Sequence, residues 1–514
     1  MFSPPNQEDM LQRLPADFVA RLDITAAVVS ETETWRNLLP PEPWVEVVKR
    51  DISGLTEYVA ARLEAGAYNA VGITANARKG LRGTRPIAIV GIGERIAYRA
   101  LCDYVLQGQP SAARERDDYR KFAKGPIDAA YAGMKRQVGL RLGDSKFSHL
   151  VEADIAAFYQ YVDHGVLQKE LEMQTGKIGG VQYLVELLGE LQGASYGLPQ
   201  LLDASDALSE VYIRIMERDI VRRGLQVWRY NDDFRVGTTS YSDSEDVIEQ
   251  LADAAHSIGL VLNEYKTHTI RFISYMLRHV SPEVAKSDEP FDPEDVQVEP
   301  EYELDDDESA AEAEGTLKRL DLPPGDEDRI DLKALSVDDL RQIRGAVNTL
   351  RRLKRPEALP RVVHLFIFAP SLTPRLCEYL ADLYAMNMTE VERIWDALSK
   401  EHGEKLSEWQ VLWLIDIARR LKLLGHKDER VEFVEQQQLR GAHSVLHAES
   451  MLALAEVGHS NFKELDAALR TEPEALAPWY VLGIRALADA GHVTQDRFAA
   501  VRDSSPLYKL LLES

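Results

Sequence analysis

Asp232 and Asp233 stand side by side between two short β-like runs in the stretch Trp228 to Val236, where a tight turn would hold their carboxylates rigidly together. Like charges so placed repel, so a site that keeps them paired calls for a divalent cation, and hard oxygen ligands suit Mg²⁺. An acidic doublet is also a common solvated turn, so it needs support from elsewhere in the chain. A third carboxylate, Asp154, ends the apolar run that starts at Leu150. Brought beside Asp232 across a sheet, it would complete a two-metal site for in-line displacement at phosphorus; by itself it would merely cap the helix expected behind it. Lys266 lies in a turn where it could act as general acid toward a leaving pyrophosphate, or be one more surface lysine. Arg78 to Pro86 is a basic, glycine-punctuated turn that includes Lys79 and Arg85. Guanidinium forks match phosphate oxygens and would grip a triphosphate there, although a solvated basic loop has the same composition.

The elements that must position these groups can be read from periodicity and breakers. Leu150 to Asp154 predicts a buried strand, passing into a helix that carries Phe158, Tyr159 and then Asp163-His164. Ser195 to Gln200 is a Gly/Pro turn, and behind it Leu208, Val211, Tyr212 and Ile215 recur at helical spacing in a segment from Leu201 to Ile220. The doublet hairpin follows. Ala252 to Thr267 then predicts a helix, a stop at Gly259, a short strand and the turn holding Lys266. Residues 1 to about 70 show helical periodicity in pieces, broken at Pro40, Pro41 and Pro43, with no chemistry assigned.

A chain of 514 residues, 45% hydrophobic, is long enough for about two to four packed domains. No apolar run approaches the roughly 18 residues that span a bilayer, and the N-terminus lacks the pattern of a secretory signal. Cys102 and Cys377 lie far apart, in no metal-ligand spacing and with no disulfide framework, so a soluble cytoplasmic protein is expected. The net charge of −24 looks hostile to nucleic acid, but residues 281–331 hold 20 acidic and 4 basic side chains, while Thr74 to Lys146 carries 15 basic against 7 acidic. A local positive field therefore exists where a phosphate backbone could lie.

Strand-Asp154 with Tyr159, Gly197-Leu198-Pro199-Gln200, Tyr230-Asn231-Asp232-Asp233, and Gly259-Leu260 through Lys266-Thr267 follow one another in the order and spacing of reverse transcriptase palm motifs. A basic segment ending Arg85-Pro86-Ile87 precedes them. Over residues 75–280 the chain resembles that family of RNA-directed DNA polymerases. The resemblance implies an α+β fold of fingers and palm, the palm an antiparallel sheet with helices. It implies that Asp154 and Asp232 bind two Mg²⁺ ions, Mn²⁺ being able to substitute, with Asp233 in support and the Ile155 carbonyl as an extra ligand. Tyr159 aligns with the steric gate, whose ring occupies the place of a ribose 2′-hydroxyl, so the substrates would be dNTPs and the product DNA. Arg85 would grip the triphosphate, helped by Arg78 and Lys79. Gly197 and Gln200 would lie against the nascent base pair and template, and Lys266 would assist the pyrophosphate. Two departures stand out: Leu201-Leu202 where the family commonly has small residues, and Asn231 where Ala is more frequent. A turn tolerates Asn because Asn accepts left-handed backbone.

The expected organisation is a helical extension over 1–74, fingers and palm over 75–280, an acidic linker or insertion over 281–331, and a helical domain over 332–514. The acidic segment reads as a mobile spacer or a nucleic-acid mimic. Beyond Leu335, starts at Ser336-Val337, Thr373-Pro374, Thr389-Glu390 and the capping box Ser407 to Gln410 predict short helices without strands, an all-α repeat of HEAT-like character. No carboxylate set for an RNase H domain follows. A reverse transcriptase core fused to an α-helical repeat most resembles bacterial abortive-infection and other antiviral-defence enzymes. That resemblance implies priming by a protein hydroxyl, with Tyr508, Ser504 and Ser505 as candidates; the lack of a long apolar run leads to no membrane partner being expected. A template or non-coding RNA and self-association into a homo-oligomer are further expectations. An RNA-templated enzyme of a mobile element and a catalytically idle RNA-binding scaffold are the alternatives.

Overall fold

The computed structural model describes residues 13–34, 38–66, 72–80, 83–110, 116–132, 144–278, 306–318, 337–440 and 444–513. The N-terminal region supplies helices α1 (Ile24–Glu33) and α2 (Ile52–Ala65), the antiparallel hairpin β1 (Ile73–Lys79) and β2 (Gly83–Ile89), and helix α3 (Ile92–Leu106). Within the hairpin, alternation sends Ala75, Ala77, Ile87 and Ile89 into the core. By their contacts residues 1–100 cluster with residues 304–514 into one unit, and residues 101–303 form the other. Arg62 on α2 ties the first unit together: it donates to Glu94 Oε1 at 2.6 Å and to Glu474 Oε2 at 2.8 Å.

The second unit contains α4 (Arg116–Ala130), β3 (His149–Asp154), α5 (His164–Thr175), α6 (Ile178–Gln192), α7 (Asp203–Arg222), the hairpin strands β4 (Val227–Tyr230) and β5 (Asp233–Thr238), α8 (Tyr241–His256), β6 (His268–Arg271) and α9 (Phe272–Leu277). Its antiparallel sheet has the order β4-β5-β3-β6. One face presents Val151, Ala153, Phe234 and Val236, all buried, and α8 packs on it through Thr238 and Ser244, whose hydroxyls lie 2.7 Å apart. The opposite face is graded along the strands. At one end Leu150 joins Ile127, Phe147, Phe272, Tyr275 and Met276 in an apolar cluster. Next comes a charged rung, Glu152 opposite Arg235 and His268. Asp154 and Asp233 form the rung beyond it.

Close approach is built into the apolar end. A Cβ on Gly237 would lie 2.8 Å from the Phe147 ring, and one on Gly125 would lie 2.3 Å from the Trp228 indole, so each glycine admits an aromatic side chain that any larger residue would displace.

The C-terminal helices are α10 (Asp306–Lys318), α11 (Val337–Arg352), α12 (Thr373–Lys400), α13 (Glu408–Arg420), α14 (Asp428–Arg440), α15 (Ser444–Glu456), α16 (Phe462–Thr471), α17 (Ala477–Asp489), α18 (Gln495–Arg502) and α19 (Pro506–Glu513), with short 3₁₀ and α turns between some of them. No strand occurs after β6 among the described residues. Within the acidic segment, expected as a spacer, residues 306–318 are helical and bury Ala313 and Leu317; the rest of 281–331 lies outside the described residues. The start expected at Thr389 follows a break at Asn387, whose non-helical φ of −133° and ψ of 39° divide α12 into two helical segments. The capping box at Ser407 and Gln410 forms with both of its hydrogen bonds. No described helix is long and apolar enough to cross a membrane.

Candidate active site

Register places Asp154 opposite Asp233 on neighbouring strands, and the β4–β5 turn sets Asp232 beside them. Asn231 makes that turn with φ +62°, the left-handed conformation expected of it. Carboxylate oxygens of Asp154, Asp232 and Asp233 all lie within 4.8 Å of one another. The site is buried on one side and open on the other: Asp154 is 5% exposed, Asp232 half-buried and Asp233 exposed.

Asp154 does not cap a helix. After β3 the chain passes through Ala157, with φ +47°, into a 3₁₀ turn at Phe158–Gln160, and α5 begins only at His164, capped by Asp163. The predicted helix carrying Tyr159 and Asp163 is therefore absent, because Asp163 is itself a start signal whose Oδ1 accepts from Val166 N at 2.8 Å. Asp154 is held from the other side. Asn263 Nδ2 donates to its Oδ2 at 2.9 Å, Asn263 N donates to its carbonyl at 2.7 Å, and Lys266 Nζ donates to its Oδ1 at 2.8 Å. Ile155, the residue next to Asp154, bridges to Leu262 on the same segment.

The electrostatics fit a cation site. Desolvation, and then the charges on Asp232 and Asp154, push the Asp233 carboxyl up to about 6. Asp233 keeps its solvent access, so the neighbouring charges are the part of that shift a bound cation would cancel. Burial would lower Lys266, but the hydrogen bond and charge of Asp154, followed by Asp233 and Asp232, hold its ammonium above the ordinary range. Lys266 thus stands as the one cation that the structure sets on Asp154 by a direct hydrogen bond, among the described residues.

Tyr159 lies close by in sequence and is fixed through its phenol, which bonds to Asp206 Oδ1 and accepts from Ser209 Oγ at 3.3 Å. The Gly197 to Gln200 turn is clamped to the same segment: Leu198 N donates to the Tyr159 carbonyl at 2.7 Å and Gly197 N to the Val162 carbonyl at 2.8 Å. Gly197 has φ +96°, which only glycine adopts freely, and its carbonyl sits 2.7 Å from His164 Nε2. Burial holds His164 below its ordinary pKa, so a neutral imidazole donates to that carbonyl. Gln200 follows in the turn, and Leu201 after it has φ +66°. Glycine would be relaxed in that conformation; leucine carries about 1–2 kcal/mol of strain there.

Lys79 and Arg85 share the hairpin face of Ala77, whereas Arg78 pairs with Thr84 and points to the opposite face. The hairpin belongs to the first unit and the carboxylates to the second. Tyr508, Ser504 and Ser505 also belong to the first unit. Ser504 and Ser505 form the turn between α18 and α19, Ser504 Oγ donating to the Val501 carbonyl at 2.7 Å, and Tyr508 is half-buried on α19 with its pKa raised by burial and by Glu474.

Three groups escaped the sequence reading. Asn263 grips Asp154 through side chain and backbone, and its only local signal is the Asn-initiated turn before Lys266. Asp206 fixes Tyr159 from 47 residues away and leaves no local signal. Arg235 pairs with Glu152 at 3.5 Å, stacks on the Phe122 ring at 4.1 Å and donates to Tyr275 at 2.7 Å, forming a rigid floor beneath the carboxylates.

A cluster of carboxylates at the rim of an antiparallel sheet, with a lysine on one of them, defines a candidate divalent-metal site. No protein-family model matches the chain, and no curated protein matches it. Among solved structures it is similar to telomerase from Candida albicans in complex with the TWJ fragment of telomeric RNA, at 12% identity and a TM-score of 0.31, over 65% of this chain. The chain spans 63% of that structure's length, and so weak a likeness carries no argument about function.

Proposed function

We propose that the chain is a nucleotidyltransferase of the reverse-transcriptase kind that adds dNTPs to a 3′ end and makes DNA. The observation that carries this reading is the convergence of Asp154, Asp232 and Asp233 within 4.8 Å, from positions that sequence motifs alone had singled out. The donor set fits Mg²⁺: three hard oxygen ligands, one pushed up to about 6 by desolvation and its neighbours' charges, and a lysine ammonium standing against the most buried one. Asp154, Asp232 and Asp233, with the Ile155 carbonyl, would hold the ions, which when bound polarise phosphate and acidify the attacking hydroxyl.

The remaining steps belong to the chain's own groups. Lys266 keeps its proton at neutral pH and, freed from Asp154, can give it to the leaving pyrophosphate. Tyr159, pinned by Asp206 and Ser209, presents a ring that cannot yield to a 2′-hydroxyl. Gly197 and Gln200, clamped to the Tyr159 segment, back the base pair, and Arg85 with Lys79 grips the triphosphate. The C-terminal helices form a HEAT-like repeat, and anti-phage defence in the bacterial cytoplasm is the biological role, with a hydroxyl of Tyr508, Ser504 or Ser505 as primer. Purified protein incubated with Mg²⁺ and labelled dNTPs should incorporate label, and Asp232→Asn should not. Label that survives denaturation on the protein and is released by protease supports protein priming. Incorporation by Asp232→Asn at the native rate would sink the polymerase reading.

A further inference from the structure

The first unit contains a cavity of about 310 Å³ between the outer face of the β1–β2 hairpin and the first turns of α13 and α15. Its size falls at the lower end of the range of about 300–1,000 Å³ for small-molecule sites. One wall is hairpin. Strand alternation puts Thr74, Asn76 and Arg78 on the same face, with Thr84 directly opposite Arg78, so two hydroxyls, an amide and a guanidinium line that wall, Thr84 beside the guanidinium. The facing wall carries Glu408, with Trp409 and Val445 as apolar surface. The Ser407 hydroxyl, also in the lining, is committed to Gln410 in the capping box.

The charges on the two walls are what distinguish this cavity. Arg62 and Arg95 of the same unit are locked in ion pairs, but neither Arg78 nor Glu408 has an ion-pair partner among the described residues. A lone guanidinium on one wall and a lone carboxylate on the other suit a ligand with an anion at one end and hydrogen-bond donors at the other. We infer that the cavity binds a free nucleoside monophosphate, its phosphate on Arg78 and Thr84 and its sugar hydroxyls or base amino group on Glu408. The occupant would bridge the hairpin to the helical repeat, and the site is independent of the carboxylate cluster.

The test is equilibrium binding of AMP, GMP, CMP and UMP, each alone, to the full chain in EDTA, where a metal-dependent substrate site is silent. At least one should bind saturably at one per chain, equally in the native protein and in Asp232→Asn. Arg78→Gln should weaken that binding about tenfold or more while leaving the thermal midpoint unchanged, because the side chain is exposed. Glu408→Gln should weaken the nucleotide and leave inorganic phosphate unaffected. Absence of saturable binding by all four would overturn the inference, as would affinity untouched by Arg78→Gln. Inorganic phosphate bound as tightly as the nucleotide would mark an adventitious ion only.

Discussion

In the helical unit Arg419 is boxed by Glu449 at 2.6 Å, Glu456 at 3.4 Å and Asp416 at 3.5 Å, and Glu449 takes a further hydrogen bond from the Trp479 indole at 2.7 Å. In the sheet unit Asp154, Asp232 and Asp233 are crowded together, and the one cation hydrogen-bonded directly to Asp154, among the described residues, is Lys266. In the first case each carboxylate meets an arginine, Asp416 reaching Arg420 as well at 3.1 Å, and the pairs hold helices in place. In the second the carboxylates crowd one another, and such crowding is tolerated where a ligand relieves it. Paired and crowded clusters therefore answer differently when a member is removed.

The largest contrast is in activity. Asp232→Asn should cut dNTP incorporation on the order of a thousandfold or more while leaving the thermal midpoint unchanged or raised, since a repulsion is relieved. Arg419→Met should do the reverse: unfolding in urea would show a loss of about 3–5 kcal/mol, the cost of stranding buried carboxylates, with activity per folded molecule retained. Lys266→Ala should lower the rate about a hundredfold and flatten its alkaline limb, which a purely structural lysine would not. Smaller still is the pH effect of Asp233. Without a cation the folded chain holds that proton more tightly than the unfolded one, so its contribution to stability is full below the ordinary value of 3.8 and is lost as pH rises through about 6. Thermal midpoints measured across that window should fall without Mg²⁺ and flatten with it, because binding displaces the proton. Leu201→Gly should change stability by less than about 1 kcal/mol, relief of left-handed strain offsetting glycine's greater unfolded freedom.

The site was legible where local chemistry and tertiary need coincide. The doublet hairpin, the strand ending at Asp154, the left-handed Asn231 and the Ser407 capping box all announce themselves within a few residues. Tyr159 was misplaced onto a helix because the apolar spacing after Asp154 imitates one, while Ala157 at positive φ and the cap at Asp163 break it. Asn263 and Asp206 act over 109 and 47 residues of chain and so were invisible to any window. The joining of the N-terminal hairpin with the C-terminal helices rests on pairs such as Arg62 with Glu474, 412 positions apart.

Gly237 lies four residues beyond Asp233 on the same strand, about 13 Å away at the usual rise. Since alternate residues share a face, Gly237, Arg235 and Asp233 cannot be repositioned separately: the Phe147 ring seated on Gly237 is a distant peg that sets where Asp233 meets Asp154. Filling that seat with a single methyl group would turn a packing fault at one end of the sheet into a loss of metal affinity at the other.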